Sequence, residues 1–467
     1  MTYTRHPASF KDPSGFVFES GGTIYRQVNQ YYASEYRQLM ECGLYAALTK
    51  NKQLVAHREL AENLTQSKDW FITLVPEPLD CITYPYEWCF EQLRDAALLT
   101  LSVLQKAVQH GMILKDATPY NIQFYKGKPV FIDTLSFDHY DPQQPWIAYR
   151  QFCQCFLFPL YLEHYLKTDI QKILSTYIDG IPVDIIAKLL PLKSRLSLGV
   201  WLHVYLQHTT TANANANSNS NSKTNKQPAR FSKKKLLDVI NHLTSIIKNL
   251  PAGKSFKTTW SNYYEDTILS QEYLREKETI IHAFCQNSKA RSVLDLGAND
   301  GYFSKIFAGY NMQVIATDAD SRCISRLYDE VKKNHIENIL PLILDISNPS
   351  PAIGFHNRER AAFHDRFKTD MVAALALVHH LVIGKNISMP ALAEYFNSIA
   401  PELIIEFVPK EDEKVQQMLS SRPDTFPDYT QAMFEEAFSQ YFQCISKKHI
   451  PNTHRVLYFM KKIDVNV

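Results

Sequence analysis

A polar tract near the middle of the chain most constrains what it can fold into. From Thr209 the sequence reads TTTANANANSNSNSKTNKQPA. This alternation of Asn, Ala and Ser offers no large apolar side chain for burial, so it cannot offset the entropy cost of ordering. The tract therefore predicts two separate cores joined by a tether. We expect an N-terminal domain over 1–208, a disordered linker over 209–230 and a second domain over 231–467.

Composition and charge indicate a soluble intracellular protein. The 467 residues carry a net charge of +2, so neither nucleic acid nor an anionic membrane is an expected partner. The N-terminus lacks the apolar region of a signal peptide, and no apolar run approaches the ~20 residues that span a bilayer. We expect a cytoplasmic location. A protein partner is left open.

The second half alternates apolar strands with helices. After a helical lead-in over 231–290, the strand-like segments SVLDLG, QVIATD, ILPLILDI, DMVAALALV and ELIIEFV are each followed by helical or loop sequence. This alternation predicts a doubly wound, Rossmann-like α/β domain. The first half mixes strands and helices, which predicts an α+β domain.

A glycine turn follows the first strand of the α/β domain, in VLDLGANDGYFSKIFA. Gly297 allows a sharp backbone turn, and Gly301 allows close approach at the start of the next helix. Asp295 lies two residues before the turn. The spacing differs from the GxGxxG of dinucleotide sites, so no pyrophosphate need be bound.

Two further carboxylates end the second and third strands. Asp318 ends VIATD, where a carboxylate can accept hydrogen bonds from both ribose hydroxyls. Asp345 ends LILD, where it can accept from an adenine amino group. Acidic strand ends around one glycine turn predict a nucleoside pocket without a phosphate site.

At these residues the chain resembles the class I S-adenosylmethionine-dependent methyltransferases. DLGANDG looks like their first motif, with Asn299 where many members have Gly; TDAD and LDIS look like the second and third. The resemblance implies that Asp318 binds the ribose and Asp345 the adenine of S-adenosylmethionine. It also implies that Gly297, Ala298 and Gly301 line the methionine part, and Asp295 and Asn299 of the same motif are further candidate cofactor-binding residues. A methyltransferase-like domain that has lost its cofactor is the alternative.

Further segments in both halves resemble one particular subfamily of these methyltransferases. WSNYYED, NPSPAIGFHNRER, ALALVHHLVI and IIEFVPKEDEKV look like a bacterial two-domain subfamily that includes nodulation-type proteins. LKDATPYNIQF and FIDTLSF look like its N-terminal region. The substrate of that subfamily is not carried over to this chain.

Candidate catalytic residues lie where the fourth and fifth strands end, because ligands of open α/β sheets bind at the carboxyl ends of strands. An imidazole with a pKa near ~6.5 can take a proton from an attacking hydroxyl or amine, so His379 and His380 are candidates. Adjacent side chains point in opposite directions, so one of the two histidines is expected to be a packing residue. Glu406 can orient a histidine or hold a substrate amine. Lys410 and Asp412 are expected at the surface.

A second motif lies in the first half, in HGMILKDATPYNIQFYKGKPVFID. Asp116, Asn121 and Asp133 match the order and spacing of a kinase catalytic loop and its metal-binding Asp. The stretch resembles the C-lobe of small-molecule kinases over about fifty residues. It lacks the glycine-rich loop and the strand lysine, and Arg26 is the nearest basic candidate for the latter. An Asp and an Asn that only stabilise a turn are the alternative.

These patterns predict a methyltransferase with S-adenosylmethionine as its cofactor and no catalytic metal. The near-neutral charge favours a small-molecule acceptor, methylated at oxygen or nitrogen, with the N-terminal domain recognising the substrate. One alternative is a bifunctional small-molecule kinase–methyltransferase, in which magnesium–ATP binds the N-terminal domain; this cofactor is the less favoured. Another is a non-catalytic kinase-like module that binds a partner and is tethered to a cofactor-sensing domain.

Overall fold

The computed structural model describes residues 2–209, 232–252, 271–420 and 423–463. Nearly all of the predicted linker and the whole WSNYYED segment lie outside these ranges. The chain forms two compact units, which are treated separately. Unit 1 comprises Met1–Phe256 together with Ala352–Ala361, and unit 2 comprises Lys257–Pro351 together with Ala362–Val467.

Unit 1 begins with a five-stranded antiparallel sheet in the order β1-β2-β3-β5-β4. A hairpin turns at Gly21-Gly22, and both glycines have the positive φ of a tight turn, 57° and 75°. Between β3 and β4, Gly43 at φ 83° separates two helices. The strands are β1 (Thr4–Arg5), β2 (Gly15–Ser20), β3 (Thr23–Asn29), β4 (His57–Leu60) and β5 (Trp70–Pro76), and the helices are Ala33–Glu41 and Leu44–Lys50.

A long buried helix, Phe90–Gln109, precedes four short strands. Its apolar side chains recur at helical spacing, and it ends just before Gly111, which has a φ of 75°. The strands pair as β6 with β9 and β7 with β8. This arrangement places the Asp116–Asn121 loop after β6 and Asp133 just after β8. The strands are β6 (Met112–Leu114), β7 (Ile122–Tyr125), β8 (Lys128–Phe131) and β9 (Phe137–His139).

The remainder of unit 1 is helical, as predicted. The helix Lys233–Asn249 belongs to this unit, although we predicted it as the lead-in to the second domain. It buries an apolar stripe, Leu236, Ile240, Leu243 and Ile247, and packs against Phe90–Gln109. The other helical segments are Tyr149–Phe152, Cys153–Leu157, Phe158–Leu166, Gln171–Thr176, Val183–Leu189, Leu198–Val200 and Trp201–Tyr205.

Unit 2 contains a seven-stranded sheet in the order β12-β11-β10-β13-β14-β16-β15. The first five of its strands in the chain are parallel, and the last two are antiparallel to their neighbours. This confirms the predicted α/β class. The strands are β10 (Ser292–Leu296), β11 (Gln313–Asp318), β12 (Ile339–Ile343), β13 (Met371–Ala374), β14 (Glu402–Phe407), β15 (Phe442–His449) and β16 (Val456–Lys462).

The core of unit 2 forms where apolar strands meet apolar helix stripes. Val293, Ala373 and Ile404 lie on three neighbouring strands and are fully buried. Phe303 and Leu327 face the same core from two helices. The carboxyl ends of β10, β11, β12, β13 and β14 consequently lie along one edge of the sheet. The helices are Gln271–Asn287, Tyr302–Gly309, Ser321–Asn334, Phe363–Arg366, Met389–Ile399, Glu413–Leu419 and Gln431–Ser439.

Candidate functional site

The turn after β10 has the backbone shape that its glycines allow. Gly297, Asn299 and Gly301 have positive φ of 73°, 53° and 77°. Asn tolerates this left-handed region better than most residues, which explains how Asn299 can stand where many methyltransferases have Gly. The amides of Gly297 and Ala298 donate to the carbonyl of Thr317 at 2.8 and 2.9 Å. These bonds hold the turn against the end of β11.

The two glycines are required for different reasons. A Cβ on Gly301 would lie 2.4 Å from a methyl carbon of Leu327, so the bare backbone lets the helix Ser321–Asn334 pack closely. A Cβ on Gly297 would meet its nearest neighbour, Leu377, at 3.4 Å, an ordinary contact distance. Packing therefore accounts for Gly301, and the turn conformation accounts for Gly297. Their predicted contact with a cofactor stays a prediction.

Asp318 joins the end of β11 to this turn. Its carboxylate oxygens accept the backbone N–H groups of Asn299 at 2.9 Å and Asp320 at 2.8 Å. Burial raises the pKa of Asp318, and these two hydrogen bonds oppose the shift. A carboxylate offers about four lone-pair positions, so acceptor capacity remains for a hydroxyl donor.

Asp295 lies in β10 and is 2% exposed. Its carboxylate accepts a hydrogen bond from the hydroxyl of Ser304 at 2.6 Å. Burial raises the pKa of Asp295 to about 6, while Ser304 and the charge of Lys277 oppose that rise. A cationic ligand nearby would favour its ionised form.

Asp345 follows β12 and is only partly buried. It accepts the amide of Ser347 at 3.0 Å and the hydroxyl of the same residue at 2.5 Å, both at Oδ1. Its other oxygen, Oδ2, lies 3.9 Å from the ammonium of Lys385, which is 55% exposed. Asp345 thus stabilises its own turn and retains acceptor capacity.

His379 and His380 follow β13 with their rings 4.0 Å apart between centroids. A π-helical turn, His380–Gly384, begins here, and such turns occur frequently at functional sites. Ala376 has a φ of 51°, a conformation that costs an L-residue roughly 1–2 kcal/mol. The turn before the histidines is therefore strained.

The two histidines differ in exposure, and neither has the ordinary pKa that we expected. His379 is fully buried, and neither of its ring nitrogens has a hydrogen-bond partner among the described residues. Burial, with the nearby charges of Arg455 and Lys277, lowers its pKa well below 6.5. Burial and the charge of Arg455 lower the pKa of the half-buried His380 to about 4. Both rings are consequently neutral at neutral pH.

Glu406, in β14, lies in a buried ionic network rather than beside a histidine. Its carboxylate lies 2.6 Å from the ammonium of Lys277 and accepts a hydrogen bond from Tyr273 at 2.9 Å. The guanidinium of Arg455 lies 3.5 Å away. Lys277 and Arg455 lower the pKa of Glu406 despite its burial, so it is ionised. The predicted role of orienting a histidine is not what the structure shows.

Sequence reasoning did not identify Tyr273, Lys277 or Arg455. Lys277 occupies a position on the apolar stripe of its helix, between Tyr273 and Ile281, and is 3% exposed. A charged residue at such a position indicates a buried partner. Asp412, predicted at the surface, instead pairs with Arg455 at 2.7 and 3.0 Å. Lys410 does pair near the surface, with Asp424.

The kinase-like residues of unit 1 come together. Asn121 donates to Asp116 at 3.2 Å and to the hydroxyl of Ser136 at 3.0 Å, and Ser136 donates to Asp133. Arg26 forms an ion pair with Asp133. Burial and the charge of Asp133 raise the pKa of Asp116. Arg26, the predicted basic candidate, thus neutralises Asp133.

The segment Ala352–Ala361, which follows β12 in the chain, also packs within unit 1. Glu359 is buried and pairs with Lys11 at 3.0 Å and with Arg360 at 3.5 Å. The guanidinium of Arg360 lies 4.0 Å from the ring centroid of Tyr120, next to Asn121. These contacts also bring Arg360 near the kinase-like residues.

No group of three or more His, Cys, Asp or Glu residues is arranged to bind a metal ion within the described parts of the chain. Every helix in those parts is too short or too polar to cross a bilayer.

Comparison with known proteins identifies a relative over nearly the whole chain. The nodulation protein NoeA of Rhizobium meliloti (strain 1021) is 32% identical over 474 residues, which cover 98% of this chain and 96% of that protein. No protein-family model matches the chain. The match includes both units.

Several solved methyltransferases match a smaller part of the chain. The N-methyltransferase NodS of Bradyrhizobium japonicum WM9 matches with a TM-score of 0.31 and 11% identity, over 42% of this chain and 99% of that one. Magnesium protoporphyrin IX methyltransferase of Synechocystis PCC 6803, with bound SAH, matches with a TM-score of 0.32 and 13% identity, over 44% of this chain and 93% of that one.

Proposed function

This chain belongs to the family of the nodulation protein NoeA, and we propose that its unit 2 is an S-adenosylmethionine-dependent methyltransferase with a small-molecule acceptor. One observation carries the proposal. Asp318, the candidate ribose ligand, accepts the amide of Asn299 in the glycine turn, so two adjacent strand ends form one pocket wall. The match to NoeA extends over both units. The acceptor class rests on the near-neutral net charge of +2.

The residues around the turn fit this cofactor. Asp318 retains acceptor capacity for a ribose hydroxyl, and Asp345 retains acceptor capacity for an exocyclic amine. The buried carboxylate of Asp295 complements a cationic ligand. When bound, the cofactor supplies an electrophilic methyl group.

The protein then has to position and deprotonate the acceptor. We assign the proton acceptor to His380, because this ring is only partly buried, whereas His379 is fully enclosed. The strained turn at Ala376 fixes where both rings lie. The ionised network around Glu406 lies on the adjacent strand. Burial, together with the nearby charge of Arg455, lowers the pKa of His380 and keeps the ring unprotonated.

Cofactor binding tests the pocket directly. We expect Asp318→Ala to weaken the binding of S-adenosylmethionine by roughly 10-fold or more, because hydrogen bonds of a charged acceptor contribute about 1.5–3 kcal/mol. The measurement is isothermal titration calorimetry. Asp424→Ala is the control, because Asp424 lies near the surface, where it pairs with Lys410 and accepts the backbone amide of Phe426. Equal affinities for wild type and Asp318→Ala would refute the pocket.

Turnover tests the chemistry. Labelled S-adenosylmethionine is incubated with the protein and fractionated extract, and the label should enter a small molecule; label in protein or RNA would contradict the acceptor class. We expect His380→Ala to lower turnover by about 10²–10⁴-fold with unchanged cofactor affinity. His379→Ala should mainly lower stability. Full turnover by His380→Ala would exclude it as the proton acceptor.

The pH profile separates this mechanism from one with an ordinary histidine. A base must be unprotonated, and the pKa of His380 is lowered to about 4. Activity should therefore rise as the pH increases through that value and stay level around neutrality. A rise centred near ~6.5 would instead indicate a solvated histidine.

For unit 1 we propose a kinase-like module that recognises the substrate and does not transfer phosphate. Asp133 is the residue that supports this choice, because Arg26 and Ser136 already occupy its carboxylate. A magnesium ion would have to displace both. The bifunctional alternative predicts magnesium-dependent ATP hydrolysis that is lost in Asp133→Ala. Observing that activity would overturn our choice.

A further inference from the structure

An exposed apolar strip lies on unit 1 between residues 189 and 206. It contains six large apolar side chains, three of which are largely in water: Leu192 is 75% exposed, Leu196 90% and Leu198 65%. Single exposed apolar side chains are normal on a soluble protein, whereas several within one short segment are a candidate interaction surface. Its members are Leu189, Leu192, Leu196, Leu198, Trp201 and Leu206.

The strip is held in a fixed backbone. Residues between its members are buried, among them Leu190 and Val200. Gly199 packs so closely that a Cβ there would lie 2.8 Å from side-chain atoms of Tyr161 and Ile246. The exposed side chains are therefore presented by an anchored segment and could not be buried by a simple local rearrangement.

Basic side chains accompany the strip. Lys188, Lys193 and Arg195 are exposed within the same helical stretch, whereas Asp184 is the one acidic residue between positions 183 and 206. The guanidinium of Arg195 lies 4.8 Å from the ring centroid of Tyr205. Leucines and a tryptophan interleaved with lysine and arginine are typical of surfaces that lie in the interface of an anionic membrane.

We propose that this strip is a peripheral membrane-docking surface that binds anionic phospholipid headgroups. Protein–protein interfaces are typically depleted of lysine, and leucine is under-represented among their hot spots, so the composition favours lipid over a protein partner. The net charge of +2, which suggested no membrane partner, is an average over the chain and conceals this local excess. The proposal is independent of the methyl-transfer chemistry.

Flotation of the full-length protein with vesicles tests the proposal. We expect the protein to float with vesicles of phosphatidylcholine and phosphatidylglycerol, and not with phosphatidylcholine alone. High salt should weaken binding, because headgroup attraction is screened. The double variant Lys193→Glu, Arg195→Glu should lower the partition coefficient by about tenfold or more, since each basic residue near such a surface contributes about 1 kcal/mol.

Apolar variants and controls separate lipid binding from other outcomes. Leu192→Ser with Leu196→Ser should abolish flotation and leave thermal unfolding unchanged. Met433→Ser with Ile445→Ser, which changes two exposed apolar side chains of unit 2 (40% and 46% exposed), should leave flotation intact. Failure of the wild-type protein to float would overturn the proposal. So would a concentration-dependent dimer that the Leu192→Ser, Leu196→Ser variant abolishes, because the strip would then contact a second copy.

Discussion

The buried pair of Lys277 and Glu406 predicts a large and specific loss of stability. In Lys277→Met the side chain keeps its approximate volume but loses its charge, so Glu406 stays in a fully buried site without its nearest cation. Removing one partner of a buried ion pair costs about 3–5 kcal/mol. Arg455 at 3.5 Å and Tyr273 at 2.9 Å still contact the carboxylate. We therefore expect Lys277→Met to lower the free energy of unfolding by about 3 kcal/mol, near the lower end of that range.

A second lysine pair in unit 2 is the matched control. Lys305 lies 2.9 Å from Glu330, so the geometry is similar, but the side chains are 35% and 38% exposed. Exposed pairs contribute about 0.2–1 kcal/mol. Lys305→Met should therefore cost at most about 1 kcal/mol. The comparison isolates burial, because the same substitution is made in the same unit.

The free energy of unfolding of both variants is measured in urea on the full chain. Hydrogen exchange of peptides from β10 and β14 reports the unfolding of unit 2. Four of the five tryptophans lie before residue 257, so fluorescence would mainly follow unit 1. Equal losses for Lys277→Met and Lys305→Met would refute the reasoning. A double variant, Lys277→Met with Glu406→Gln, should recover part of the loss, because the isolated carboxylate charge is then gone.

The difference in free energy of unfolding between wild type and Lys277→Met should depend on pH, because it depends on the ionisation of Glu406. That pKa is lowered from its ordinary value of 4.5 by Lys277 and Arg455, so the folded state holds the carboxylate ionised where the unfolded chain begins to bind a proton. The stabilisation is fully present above 4.5 and is lost as the pH falls through the folded-state value. The gap between wild type and Lys277→Met should narrow in acid.

Three further predictions concern other parts of the chain. Gly301→Ala should cost about 2–4 kcal/mol in urea unfolding, from its positive φ and the clash with Leu327, whereas Gly309→Ala, with open space around it, should cost almost nothing. Asp295→Asn should stabilise the cofactor-free protein by up to about 3 kcal/mol at neutral pH, because a folded-state pKa of about 6 makes ionisation of the buried carboxyl costly. This gain should disappear below pH 3.8, the pKa of Asp in the unfolded chain, because the carboxyl is then protonated in both states. Arg360→Lys should weaken packing on Tyr120 by about 1 kcal/mol, seen as faster hydrogen exchange in residues 352–361.

The strand-and-turn geometry was predictable because its causes are local in sequence. The apolar run before Asp295, the glycines and the helix after them lie within one short unit, and Asp318 ends a second such unit. Parallel pairing then brings these strand ends together, with Asp295 opposite Ala316 in the register. The Gly21-Gly22 hairpin followed from the same kind of local signal.

The buried network was not predictable in this way, because its members come from distant parts of the chain. Tyr273 and Arg455 are 182 residues apart, yet their side chains are hydrogen bonded at 3.0 Å. Asp412 follows β14 in a charged segment that is typical of a surface. Only its ion pair with Arg455 shows that Asp412 belongs to the network. The prediction that the histidines have ordinary pKa values was wrong for the same reason, because these values depend on burial and on charges from other elements.

The kinase-like stretch shows what residue spacing leaves undetermined. Asp116, Asn121 and Asp133 have the order expected of a phosphotransfer loop, and the fold does bring them together. Spacing cannot specify whether a carboxylate is available to a ligand, which depends on what faces it from another element. Here Arg26, on β3, faces Asp133 and neutralises it. An arginine stays protonated at any physiological pH, so it cannot give up this carboxylate by losing its proton. Binding of a magnesium ion at Asp133 would therefore require the Arg26 side chain to move away from the carboxylate.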